Sequence, residues 1–150
     1  MPQYPNQIDC VWTASDRDGH VGAFIAAGAG PLPAAAFDSG RISVADIEEH
    51  LCRLPVISPW HLLVGVPRPD GYVALCERGL FVYDWTDVHR SLSAATRMYQ
   101  PVAVPALPLH LDQLPADLHN IASALRLRTV CFDETAALDI RSLLTCVEAE

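Results

Sequence analysis

A chain of 150 residues with 51% apolar and 19% charged side chains has the composition of a folded globular domain and excludes a disordered one. Its formal charge of −8, with all ten basic residues arginine, speaks against nucleic acid as a direct ligand, because phosphate backbones are held by clustered Lys and Arg. Five widely spaced cysteines, at 10, 52, 76, 131 and 146, form no C-x-x-C pair, so neither a zinc knuckle nor a redox dithiol is supported.

In chain order, "MPQYPNQIDC" has neither the basic region nor the apolar core of a signal peptide. The longest stretch free of charge and histidine, Val21 to Phe37, is broken by Gly28, Gly30, Pro31 and Pro33 and is too short to cross a bilayer. A cytoplasmic, reduced protein without membrane contact is the expectation. "IDCVWTASD", with Ile8, Cys10 and Trp12 alternating, predicts a first strand, and "HVGAFIAAG" a second. "DRDG" turns the chain between them.

A helix follows, with Ser43 as cap, Val44, Ile47, Leu51 and Leu54 on one face and Asp46, Glu49 and Arg53 off it; Pro55 ends it. "WHLLVGV" reads as a short, largely buried strand. "GYVALCERGLFVYDW" reads as a second hairpin turning at Arg78-Gly79. In segment 99–111, Pro101, Pro105 and Pro108 predict an edge strand or an extended crossing segment, since proline has no N–H to give a central ladder. Leu114, Leu118, Ile121 and Leu125 mark a second helix with Pro115 in its first turn. "TVCFD" reads as a last strand, and Ala137, Ile140, Leu144 and Val147 as a closing helix. The sum is one domain, 1–150, of the α+β class, with about three helices on a largely antiparallel sheet.

The candidate sites are few. Asp-x-Asp at Asp16 and Asp18 opens like a calcium loop. The sixth and twelfth positions, which need Gly and Glu, hold Val21 and Ala27. "GAGP" lacks both the third glycine of a dinucleotide fingerprint and the Gly-Lys-Ser/Thr of a P-loop. No histidine pair has H-x-x-x-H or H-E-x-x-H spacing. Asp87 and His89, with Asp84 nearby, make a weak metal or acid–base pattern without a partner nucleophile. No catalytic residue, metal or cofactor is assigned, and the chain is not read as an enzyme. Two stretches suit a partner surface: "DIEEH", an acidic helix face with Asp46, Glu48 and Glu49, and "YDWTD", where Asp84 and Asp87 flank the aromatic Trp85.

The pattern "WTASDRDGHVGAFIAAGAGPLP", Trp12 to Pro33, resembles the opening of small bacterial immunity proteins of polymorphic toxin systems. The shared features are Trp12, the Ala14–Val21 turn, Phe24 and Ala27–Pro33, about a fifth of the chain. The resemblance implies a non-catalytic protein that binds a cognate toxin domain, a basic one if the toxin acts on nucleic acid. The expected contacts are Asp46, Glu48, Glu49, Asp84, Trp85 and Asp87, with the Asp16–Asp18 turn as a possible addition. A small regulatory or ligand-binding module, with a pocket between sheet and helices, is the alternative.

Overall fold

The computed structural model describes residues 10–26, 42, 46–65, 69–85 and 98–140. Six strands are β1 Val11–Asp16, β2 Val21–Ile25, β3 Trp60–Leu62, β4 Phe81–Asp84, β5 Gln100–Pro105 and β6 Arg126–Leu127. Among these residues the α-helices are α1 Ile47–Leu51, α2 Asp70–Cys76 and α3 Ala116–Ala124. The strands form one sheet in the order β3-β5-β4-β2-β1-β6. The architecture is α+β.

The first hairpin forms as the sequence predicts. β1 and β2 pair antiparallel, with Trp12 opposite Phe24 and Ser15 opposite Val21. Gly19 closes the turn at φ +83°, a conformation that costs glycine little and other residues more. A Cβ there would run into Nε2 of His110, so the position needs glycine for space as well as for backbone shape.

The sheet is mixed rather than largely antiparallel, and the reason lies in "GYVALC". This run is helix α2, not a strand. Pro69 stands at its N-cap, and Gly79 at φ +92° follows its last turn, its N–H on the carbonyl of Cys76. Arg78-Gly79 is thus a helix exit, where left-handed glycine is favoured. β4 then pairs parallel with β2, Phe24 opposite Tyr83, as a crossover connection permits and a hairpin does not. β6 likewise pairs parallel with β1 after α3.

β5 is an interior strand, between β3 and β4, so the edge position expected from its prolines is corrected. The ladder tolerates them locally. Pro101 faces Tyr83 beside a register shift at Val82/Tyr83, and Pro105 ends the strand opposite Trp60; bulges and strand ends are where a missing donor does least harm. "TVCFD" is not a strand: Phe132–Glu134 is a 3-10 turn, and β6 lies just upstream. The closing helix expected over 137–147 falls largely outside the described residues, and within them Leu138 bridges Tyr99 antiparallel.

Register builds the core. Trp12, Phe24 and Tyr83 sit side by side on three neighbouring strands and stack, with ring centroids 4.3 and 4.9 Å apart. Tyr99 meets Trp12, Phe24 and Trp85 edge-on, and Phe132 packs against Phe24, Phe81 and Tyr83. Each such pair adds about 0.5–1.5 kcal/mol beyond the burial of its area. α1 and α3 pack on β1, with Ser15 Oγ donating to the carbonyl of Ala122, and α2 packs on β4 and β5. Every residue of β1 and β4 is buried, as for strands covered on both faces. Among the described residues, no helix is long and apolar enough to cross a membrane.

Candidate partner surface and the Asp16 latch

α1 carries the clearest surface charge. Ile47 and Leu51 are fully buried against the sheet, which turns the opposite side of the helix outward. Asp46 at the N-cap and Glu48 and Glu49 in the first turn are all exposed, and carboxylates there complement the positive end of the helix. Glu49 pairs with Arg53 one turn on at 2.7 Å, both about two-thirds exposed. An exposed i,i+4 pair contributes only a few tenths of a kcal/mol, so the acidic face is not committed to holding the fold.

The second expected stretch turns inward. Asp84 is 9% and Trp85 6% exposed, because β4 lies between β2 and β5 with both faces covered. The hydroxyl of Tyr72 in α2 donates to Asp84 Oδ2, and the Trp85 ring meets Tyr99 at 5.3 Å. These two residues join helix to sheet and fill the core, so neither is presented at the surface. Asp87 and His89 lie outside the described residues.

The exposed tryptophan is Trp60, at 45%, on the edge strand β3. Val56 on the approach to β3, Leu63 just past it and Leu107 beyond β5 are also exposed apolar residues. Residues 60–62 of the run "WHLLVGV" therefore form a partly exposed edge strand, not a buried one. Its signal in the sequence was the flanking prolines at 55, 59 and 67, which favour sheet edges.

The Asp16–Asp18 turn is a latch. Asp16 is fully buried. Its Oδ1 accepts the backbone N–H groups of Asp18 and His20, each at 2.9 Å, and its Oδ2 accepts that of Phe132 at 2.9 Å. Oxygens of Asp16 and Asp18 and the sulfur of Cys131 lie within 4.8 Å of one another, a grouping that invites a metal. The donors are already engaged: the Cys131 thiol donates to Asp18 Oδ2 at 3.4 Å, and both Asp16 oxygens hold amides. Desolvation raises the Cys131 pKa, with the Asp18 and Asp16 carboxylates adding to the shift. A thiol held protonated is a poor metal ligand.

Burial also raises the Cys52 thiol, and two more deeply buried groups are shifted as well. Burial pushes the Cys76 thiol up to about 11. Burial, then the charge of Asp16, raises the Tyr83 phenol well above its usual range. Both shifts keep the neutral form, which suits packing and not general acid–base work near neutral pH.

No protein-family model, curated protein or solved structure matches this chain.

Proposed function

We propose that this protein acts by binding and not by chemistry, as an immunity protein that neutralises a cognate bacterial toxin domain by covering a basic surface of it. The observation that carries the reading is the exposed acidic turn Asp46, Glu48 and Glu49 in a chain of net charge −8. Complementary fields of this kind accelerate encounter and reject wrong partners. The Trp12–Pro33 resemblance supports the class of partner. Trp60, exposed beside Val56 and Leu107, offers the aromatic anchor that partner surfaces favour. Co-expression with the C-terminal domain of the neighbouring gene's product, as the candidate toxin, tests the reading. Restored growth together with a co-purifying complex supports it; a toxin that kills at unchanged potency and does not co-purify refutes it.

A second reading is favoured by one feature. A groove of about 460 Å³ lies between α1 and α3, lined by His50, Arg53, Leu54, Asp117 and Leu118 among others, within the size range of small-ligand sites. A ligand-binding module predicts a metabolite that raises the melting temperature and whose effect His50→Ala removes.

A further inference from the structure

We propose that Arg17, Arg126 and Arg128 form a binding site for a phosphoryl-type oxyanion. The three side chains line one concavity of about 220 Å³ at the end of the β1–β6 pair. Strand geometry brings them there. Ser15 pairs with Arg126 and Asp16 with Leu127 in the parallel ladder, so Arg17 and Arg128 each lie one step beyond the last pair. The Arg126 guanidinium donates to the carbonyl of Arg17 at 3.2 Å, which fixes its direction before any ligand arrives.

The charge balance at this point is the reverse of the chain's. The sequence has eighteen acids against ten arginines, yet three arginines converge here. Among the described residues, Arg126 and Arg128 have no carboxylate within ion-pair distance, and Arg17 has only Asp18, at 4.0 Å. Three like charges gathered around one counter-charge, that of Asp18, still repel, and a bound anion lowers that cost. Guanidinium forks match the oxygens of phosphate and carboxylate. Three of them suit a dianion better than a single carboxylate. The concavity falls below the roughly 300–1,000 Å³ of whole small-molecule pockets, so it fits inorganic phosphate or the terminal phosphoryl group of a larger molecule. The site is independent of the partner-binding reading.

The test is titration of the full chain with inorganic phosphate, and separately with a nucleoside monophosphate, against chloride at equal ionic strength. Saturable binding to the native chain is expected, weakened about tenfold or more in R126Q/R128Q and strengthened in D18N, which removes the competing carboxylate. R128Q alone, which leaves the Arg126–Arg17 contact in place, is expected to weaken binding in the same direction. Equal affinity for both probes identifies free phosphate as the ligand; tighter nucleotide binding identifies the phosphoryl group of a larger molecule. No saturable response of the native chain, or equal responses in the native chain and R126Q/R128Q with both folded by circular dichroism, overturns the proposal.

Discussion

The carboxylate of Asp16 accepts the backbone N–H of Phe132 at 2.9 Å, tying the first hairpin to a segment 116 residues further along the chain. The same carboxylate holds the amides of Asp18 and His20, so one side chain closes the β1–β2 turn and docks Phe132 onto the aromatic core. Asp16→Ala leaves three donors without their acceptor, two of them beside buried structure. A loss of about 3 kcal/mol or more is expected in urea denaturation, while Asp18→Ala, exposed at its side chain, costs under about 1 kcal/mol.

Gly19 is held by geometry on two counts, its φ of +83° and the His110 ring over its Cα. Gly19→Ala is expected to lower stability by about 2 kcal/mol, the left-handed backbone and the forced displacement of His110 acting together. Equilibrium unfolding measures it; a neutral substitution would mean that the β1–β2 turn is shaped differently.

Alkaline pH weakens the fold in a defined direction. The Cys76 thiol, fully buried, has its acidity pushed up to about 11 by burial, opposed by a backbone hydrogen bond from His61 and aided by the charge of Glu77. A group with a raised folded-state pKa contributes stability fully below its unfolded value, near 8.5 for a thiol, and loses it as pH rises through the folded value. Stability is therefore expected to fall by about 2–3 kcal/mol between pH 8.5 and 11 from this group. Tyr83, shifted in the same direction, adds to the loss above about pH 10. Cys76→Ala flattens the first part of the curve, measured by denaturation at stepped pH. An unchanged slope in that variant contradicts the assignment.

The three tryptophans differ in exposure: Trp12 at 0%, Trp85 at 6% and Trp60 at 45%. Acrylamide is expected to quench the native protein through Trp60 alone, and Trp60→Phe removes the quenchable, red-shifted part of the emission. Efficient quenching that survives Trp60→Phe would place Trp85 at the surface.

The local parts of the fold were legible from sequence. Asp-Gly between alternating strands specified the first hairpin, and the spacing of Ile47, Leu51 and Leu54, and of Leu118, Ile121 and Leu125, specified the buried faces of α1 and α3. "GYVALC" misled because a short apolar run has no decisive period, and length and flanks must arbitrate. Its flanks were informative: Pro69 at the start and Gly79 past the end are the asymmetry of a helix. The exposure of the candidate residues was legible where it depended on one helix and illegible where it depended on the sheet. Asp46, Glu48 and Glu49 face outward because Ile47 and Leu51 face inward. Asp84 and Trp85 are buried by β2 and β5, strands distant in sequence, and Trp60 is exposed because nothing among the described residues pairs beyond β3. The Arg17–Arg126–Arg128 grouping also arises from pairing across more than a hundred residues, which no local pattern reports.

The most direct measurement of the central claim is calorimetric titration of a candidate toxin domain, taken from the product of the neighbouring gene, with the native chain and with E48K/E49K. Both substitutions lie on the exposed side of α1, where charge reversal is expected to leave the melting temperature within a few degrees. The account predicts one-to-one binding by the native chain, weakening with added salt, and a loss of about tenfold or more in the variant. Equal affinities for native and variant chains, with both folded, would contradict the acidic face as the binding surface, and no binding by either would contradict the immunity reading itself.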